Sequence, residues 1–195
     1  EDYMWMNENV FSPMMQEMKN RGVPFTGILF AGLMKTFKGW KVLEFNVRLG
    51  DPETQALLPL IDEDLFPWFL ASATKSLKKL QQDLGVHSPR QKAMKSVHVV
   101  MAALGYPGTM GEKVRSGDEI SFEESFNLSP YDFLFCAGVE KDKKHQKLFT
   151  KGGRVLGITC LADTYTYARM KAYEYVSQIS FKGSQYRSDI AKGQL

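Results

Sequence analysis

The chain has 195 residues, 44% of them hydrophobic, so it is long enough to bury a core and disorder throughout is excluded. Its 25 Lys and Arg against 22 Asp and Glu leave a net charge of only +3, and the basic residues lie in scattered short groups, which argues against a nucleic-acid surface. No apolar run approaches the roughly 18 residues that a membrane span requires, so we expect no membrane segment.

The first ninety residues alternate helical and strand-like patterns. Apolar residues at helical spacing predict a helix over residues 9–21, which Gly22 ends. Two strand-like runs follow, TGILFAGLM and KVLEFNV, and the short polar link between them predicts an antiparallel hairpin. Residues 65–80 return to a helical pattern, and the turn-rich sequence DLGVHSPRQK after them predicts a domain boundary near residue 90.

Beyond that boundary the pattern is mostly that of strands. The apolar run VHVVMAAL predicts a strand that ends at the turn-forming sequence GYPG, and DEISF, YDFLFCAGV, KLFT and RVLGITCLA predict further short strands. A last helix is predicted after Asp163-Thr164, which supplies its cap, with one face made by Tyr167, Met170, Tyr173 and Val176. The fold class is therefore α+β, with a first domain over residues 1–90 and a small sheet-rich domain over residues 91–195.

The cysteines indicate a reducing compartment. Cys136 and Cys160 lie inside apolar runs without the spacing of a metal site or a disulfide framework, so we expect both to be small buried side chains. No charged-then-apolar leader opens the sequence, and we expect a soluble, cytoplasmic protein. Because the first residue is Glu1 rather than Met, we expect the chain to be a piece of something longer.

The segment KVLEFNVRLGDPETQ, residues 41–55, is the most informative part of the sequence. Alternate side chains of a strand share a face, so Glu44 and Asn46 point one way, joined by Arg48 if the strand continues. The other side is apolar, and we expect it in the core: Leu43, Phe45 and Val47.

Oxygen donors from Glu44 and Asn46 suit a hard cation such as Mg²⁺, which bridges protein carboxylates to nucleotide phosphates. Arg48 could stabilise the negative charge of a phosphoryl group during transfer. An ordinary half-exposed amphipathic strand is the alternative, and the spacing E-x-N-x-R does not by itself exclude it.

The sequence around this strand makes the pattern more specific. The order of GILFAGLM, a short hairpin and VLEFNVRLGDPETQ resembles the signature of the glycinamide ribonucleotide synthetases, and the uninterrupted GDPETQ is its most specific part. VVMAALGYPG, GGRVLGIT and QYRSDI are similar to later segments of the same family, so the resemblance covers essentially the whole chain.

The resemblance implies the C-terminal part of an ATP-grasp domain, followed by the family's small C-terminal domain. It also implies an ATP-dependent ligase that joins glycine to phosphoribosylamine through glycyl phosphate in purine biosynthesis. Mg²⁺ or Mn²⁺ would be held by Glu44 and Asn46, with Arg48 facing the phosphoryl group. The substrates would be glycine, phosphoribosylamine and ATP. Asp51 or Glu53 could hold the amino group of glycine or of phosphoribosylamine, and Arg154 after two glycines could bring a guanidinium to a ribose phosphate.

Several alternatives stay open at this point. Asp51 before Pro52 is a common helix start and could act only as a cap, and residues 152–154 could be a plain hairpin turn. The family's nucleotide lid and N-terminal substrate domain precede this region, so the expected partner is the missing N-terminal half of the same enzyme. The chain could instead be a non-catalytic binding or assembly module, or belong to another ATP-grasp ligase. The histidines have no partner at a useful spacing, and no histidine chemistry is predicted: His87, His98 and His145.

Overall fold

A computed structural model of the chain describes residues 2–108 and 111–193. They form two compact units. The first contains the described residues up to Gly50 together with Glu63–Arg90, and the second contains Asp51–Asp62 and the described residues from Gln91 onward. The domain boundary predicted near residue 90 coincides with the division between Arg90 and Gln91, but residues 51–62 pack with the second unit. The division into domains at residue 90 stays a prediction.

A helical stretch and a hairpin form most of the first unit. The helical stretch starts earlier than the sequence pattern indicated, and consists of α1 (Asp2–Met6), a π-helical turn (Asn7–Phe11) and α2 (Ser12–Asn20). The predicted hairpin is confirmed: the two strands pair antiparallel through a tight turn, and they are β1 (Phe30–Thr36) and β2 (Gly39–Asn46).

The prediction of one helix over residues 65–80 is wrong, because two helices occupy this region: α4 (Phe66–Ala73) and α5 (Leu77–Leu84). Lys75 has a left-handed backbone with φ of 59°, and the amide of Ser76 bonds back to the carbonyl of Ala71 at 2.8 Å. This is the hydrogen-bond pattern that ends a helix, and the periodicity of apolar residues carries no sign of it.

The expected core face of β2 is also wrong. Leu43 is 61% exposed, Phe45 36% and Val47 72%. The hairpin has only two strands, and the part of the chain that the structure describes covers little of this side. An apolar strand face therefore lies open, which monomeric soluble proteins usually avoid when the surface is extensive.

The second unit has two antiparallel sheets and begins with the short helix α3 (Glu53–Leu57). Its strands in chain order are β3 (Lys95–Ala102), β4 (Glu119–Phe122), β5 (Asp132–Cys136), β6 (Val139–Asp142), β7 (Lys147–Thr150), β8 (Arg154–Ala162) and β9 (Ile179–Ser180). One sheet has the order β3-β8-β5 and the other β6-β7-β4-β9. The run YDFLFCAGV thus forms two strands rather than one.

The last helix, α6 (Tyr165–Ser177), packs on one face of the sheet β3-β8-β5. Thr164 caps it as predicted, accepting a bond from the amide of Tyr167 at 3.2 Å. The predicted apolar face is wrong at Tyr167 and Met170, which are both 53% exposed. The prediction is confirmed at Val176, which is buried, and the small residues Ala168 and Ala172 complete the buried face because they let the helix approach the strands closely.

A buried ion pair joins α6 to β5. The ammonium of Lys171 lies 2.7 Å from the Asp132 carboxylate, whose side chain is fully buried, and the Tyr175 hydroxyl donates to the same carboxylate at 3.1 Å. Cys160 is buried beside this pair, and burial raises its pKa, so the thiol stays protonated. Cys136 is exposed, so the expectation of burial is correct for Cys160 and wrong for Cys136.

None of the helices within residues 2–108 and 111–193 is long and apolar enough to cross a membrane.

Candidate active site

Glu44 and Asn46 lie side by side on β2, as the alternation of the strand predicts. The Asn46 amide donates a hydrogen bond to Oε1 of Glu44 at 2.9 Å. Glu44 is exposed and Asn46 half-buried, so both polar heads can be reached by a ligand.

Gly32 gives the Glu44 side chain its space. It is the residue paired with Glu44 across the hairpin, and a β-carbon at Gly32 would lie only 3.1 Å from Cγ of Glu44. The carboxylate of Glu44 therefore lies over a part of β1 that carries no side chain.

The pair fits a hard cation. Rotating the Asn46 amide about its last bond exchanges Nδ2 for Oδ1, which would bring two oxygens together at the 2.9 Å now spanned by the hydrogen bond. Neighbouring ligands of an octahedral magnesium ion are about 3 Å apart when each metal–oxygen distance is about 2.1 Å. Magnesium usually keeps waters and binds phosphate oxygens, so two protein ligands suffice. Residues 2–108 and 111–193 contain no group of three or more His, Cys, Asp or Glu side chains that could hold a metal.

Arg48 does not share the strand face of this pair, because β2 ends at Asn46. Its guanidinium donates to the Leu49 carbonyl at 2.9 Å and remains exposed. Arg48, Thr26 and Ser72 line a pocket of about 510 Å³ in the first unit. The sequence placed Arg48 on the strand conditionally, and that condition is not met.

Asp51 and Arg154, which the sequence singled out separately, are joined in the second unit. The guanidinium of Arg154 donates to the Asp51 carbonyl at 2.7 Å and to its carboxylate at 3.0 Å. The other carboxylate oxygen accepts from the Gln55 amide at 2.8 Å. The N-cap residue of α3 is Pro52, which differs from the alternative that placed Asp51 there. Glu53 is exposed in the first turn of α3 and contributes nothing to the pocket around Arg154.

The turn before Arg154 needs its glycines for close packing. A β-carbon on Gly153 would overlap the ring of Tyr106, and one on Gly138 would lie 2.7 Å from the backbone of Gly152. The segment is thus a closely packed link between β7 of one sheet and β8 of the other, so the alternative of a plain hairpin turn is wrong, and the link also sets the position of Arg154.

A pocket of about 500 Å³ opens beside this turn, on the face of the sheet opposite α6. Two guanidiniums reach it, those of Arg154 and Arg187, and each is paired with a carboxylate, since Arg187 bonds Asp189 at 2.8 and 2.9 Å. A guanidinium has five N–H donors, so both keep donors for a ligand. Further lining residues are Pro52, His98, Tyr106 and Gln185.

Sequence reasoning missed His98. Its Nδ1 lies 2.7 Å from the Thr159 hydroxyl, which in turn lies 2.9 Å from the Gln55 carbonyl. The carbonyl can only accept, so Thr159 donates its proton to Gln55 and accepts from His98. Nδ1 therefore carries the ring proton and Nε2 is an acceptor. Thr159 is 61 residues from His98 along the chain, and only the alternation of β3, which places His98 opposite the α6 face, could have hinted at the pairing.

Burial lowers the pKa of His98 to about 4, against a weaker opposing effect of the Asp51 charge. The unfolded chain should bind the proton near pH 6.5, so His98 contributes stability that is complete above pH 6.5 and is lost as the pH falls toward 4. An NMR titration of the His98 ring should accordingly give a midpoint near pH 4. A midpoint at or above 6.5 would contradict the burial of the ring.

Comparison with known proteins identifies the family. The model of the phosphoribosylglycinamide synthetase C domain matches residues 96–193, half of the chain. The chain belongs to the phosphoribosylglycinamide synthetase family. The model of the same family's ATP-grasp (A) domain matches residues 1–54, which include Glu44, Asn46 and Arg48.

Members of the phosphoribosylglycinamide synthetase family from bacteria and yeast are similar over nearly the whole chain. Phosphoribosylamine–glycine ligase of Caldanaerobacter subterraneus is 40% identical over 188 residues, which are 96% of this chain and 41% of that protein. The bifunctional purine biosynthetic protein PUR2,5 of Pichia angusta is 42% identical over 187 residues, 95% of this chain and 22% of that protein. The chain thus spans about two fifths or less of these relatives.

A solved structure supports the same fold. The crystal structure of phosphoribosylamine–glycine ligase from Thermotoga maritima matches with a TM-score of 0.66 and 32% identity, over 95% of this chain and 42% of that one. The α+β fold expected from the sequence is therefore confirmed.

Proposed function

We propose that this chain is the C-terminal part of an ATP-dependent phosphoribosylamine–glycine ligase of purine biosynthesis. The observation that most supports this proposal is the side-by-side placement of Glu44 and Asn46 within the region that matches the family's ATP-grasp domain. Oε1 of Glu44 and Nδ2 of Asn46 are 2.9 Å apart. The two free cysteines are consistent with a reducing compartment, and we place the enzyme in the cytoplasm.

The reaction would take two steps. A carboxylate oxygen of glycine attacks the γ-phosphorus of ATP, and the bond to the β,γ-bridging oxygen breaks, giving glycyl phosphate and ADP. The amine of phosphoribosylamine then attacks the carbonyl carbon, loses a proton to solvent, and phosphate leaves with the former carboxylate oxygen. The product is glycinamide ribonucleotide.

The first unit would serve the phosphoryl transfer. Glu44 and Asn46 would hold Mg²⁺ or Mn²⁺, an ion that neutralises charge on nucleotide phosphates. Arg48 lies two residues after Asn46, and its exposed guanidinium would donate hydrogen bonds to a phosphoryl oxygen. Positioning and charge stabilisation are then the main catalytic effects.

The second unit would hold phosphoribosylamine in the pocket beside Arg154. The donors that Arg154 and Arg187 keep suit the 5-phosphate. The Asp51 side chain is 49% exposed, so its carboxylate can also accept a bond from an amine. Glu53 would serve the amino group of glycine from the exposed start of α3.

Arg154 provides a test of the acceptor pocket. In the complete enzyme, Arg154→Ala should raise the KM for phosphoribosylamine about tenfold or more, the usual loss for one hydrogen bond to a charged group. The KM for ATP should change by less than about twofold, as expected for a change away from its site. Arg115→Ala is the matched control, because it removes another Arg–Asp pair of the second unit, at Asp118. Equal increases in both Michaelis constants would reject an acceptor role for Arg154.

The proposed activity is tested by completing the chain. Joining it to the preceding part of the Caldanaerobacter ligase, in place of the matched 188 residues, should give an enzyme that forms glycinamide ribonucleotide. The 195-residue chain alone should form none, because part of an ATP-grasp cleft cannot enclose ATP. Turnover by the chain alone would show that the preceding part of the ligase is not needed, and would contradict the proposal. A folded hybrid that never turns over would favour a non-catalytic module, and one that needs a different amine would favour another ATP-grasp ligase.

A further inference from the structure

We propose that His98 is a specificity-determining residue of the pocket beside Arg154, where its Nε2 accepts a hydrogen bond from a ribose hydroxyl of a bound sugar phosphate. The inference rests on the proposed function, and it assigns to this chain the contact that would select a ribose over a sugar lacking that hydroxyl.

The hydrogen bonds around His98 hold its ring in one tautomer. The Thr159 hydroxyl donates to the Gln55 carbonyl at 2.9 Å, so His98 must donate its Nδ1 proton to Thr159 at 2.7 Å. The ring cannot exchange its two nitrogens without breaking this chain of bonds. Nε2 therefore presents a lone pair permanently.

The residues packed around the His98 ring determine the position of Nε2. A β-carbon on Gly157 would lie 2.5 Å from Nε2, so only a glycine lets the ring lie flat over β8 at this point. The Phe135 ring meets the imidazole edge to face at 6.0 Å and holds it from another side. Among the described residues no group hydrogen-bonds to Nε2. A fully buried atom without a partner would be an unsatisfied polar atom, and Nε2 is not one of these. Nε2 is therefore accessible from the pocket that His98 lines.

The lone pair on Nε2 of His98 determines which group of a ligand can bind to it. A lone pair needs a donor, which the dianionic phosphate of a sugar phosphate does not offer and a hydroxyl does. Arg154 and Arg187, which line the same pocket, supply the donors for the phosphate. The pocket therefore offers donors for a phosphate and an acceptor for a hydroxyl. A site that hydrogen-bonds a hydroxyl discriminates strongly against an analogue lacking it, because its own polar atom is left unpaired.

The test uses the 195-residue chain with ribose 5-phosphate, its 2-deoxy and 3-deoxy analogues, and sulfate, with binding measured by calorimetry. At least one deoxy analogue should bind about fivefold or more weakly than ribose 5-phosphate, as expected for one lost hydrogen bond. His98→Phe, which keeps a ring against Phe135, should remove this preference, whereas His145→Phe in an exposed turn should keep it. The ¹⁵N resonance of Nε2 should move on adding ribose 5-phosphate and stay in place with sulfate, an anion of similar shape that has no proton to donate.

The outcomes separate the two proposals. If wild type binds all three sugar phosphates equally and Nε2 does not move, the role of His98 is wrong, while ligase turnover by the completed enzyme would leave the proposed function standing. If wild type binds none of them, both the acceptor pocket and the role of His98 are overturned. The comparison of analogues on wild type needs no variant, so it decides the matter even if His98→Phe does not fold.

Discussion

Replacing Glu44 by alanine in the completed ligase should lower kcat by roughly a hundredfold or more. Glu44 is the charged member of the proposed metal pair, and losing one group that stabilises transition-state charge typically costs about 3 to 4 kcal/mol. Asn46→Ala should have a smaller effect, because its amide is neutral. The fold should survive both changes, since Glu44 is exposed and lies over Gly32 rather than in the core.

The measurement is kcat as a function of magnesium concentration. The loss in Glu44→Ala should be greatest at limiting magnesium. Glu124→Ala is the matched control, because it removes an exposed glutamate in the second unit, and it should leave both kcat and the magnesium dependence unchanged. Near-normal turnover of Glu44→Ala at limiting magnesium would show that the metal assignment is wrong.

Lys171→Met should lower the free energy of unfolding of the second unit by about 3 kcal/mol, because it leaves the buried carboxylate of Asp132 without its cation. Burial acts to lower the pKa of Lys171, but the hydrogen bond and charge of Asp132 outweigh it and raise the pKa, so Lys171 is charged at neutral pH.

Urea denaturation measures this effect. Lys147→Met breaks the exposed pair with Glu119, and should cost about 1 kcal/mol or less. Replacing both partners, as in Asp132→Leu with Lys171→Met, should recover much of the loss, because no buried charge is then unpaired. A Lys171→Met variant as stable as the Lys147→Met control would contradict the buried pair.

Local patterns predicted most of the elements correctly. The hairpin of β1 and β2 follows from two strand-like runs and a short link, and the cap of α6 follows from Thr164. Both depend on neighbours in the sequence, which a single sequence contains. The break at Lys75 depends on a backbone conformation that a lysine seldom adopts, and periodicity cannot indicate it.

The sequence indicated several residues of the candidate site, but it indicated neither His98 nor the contacts between distant residues. The alternation of β2 correctly placed Glu44 beside Asn46. The bond between Asp51 and Arg154 joins residues 103 apart, and the contact of Thr159 with Gln55 joins residues 104 apart. Such pairings arise from how residues 51–62 pack on the sheet of the second unit.

Oxygen transfer from glycine to phosphate distinguishes a ligase that works through glycyl phosphate from an enzyme that hydrolyses ATP. The completed ligase would be given glycine labelled with ¹⁸O in both carboxylate oxygens, with ATP, magnesium and phosphoribosylamine, and the phosphate would be examined by mass spectrometry. We expect one ¹⁸O atom in each phosphate released, because the oxygen that attacks the γ-phosphorus leaves with it. Unlabelled phosphate, formed at the rate of ADP, would mean that water is the attacking group and that the proposed ligase reaction is wrong.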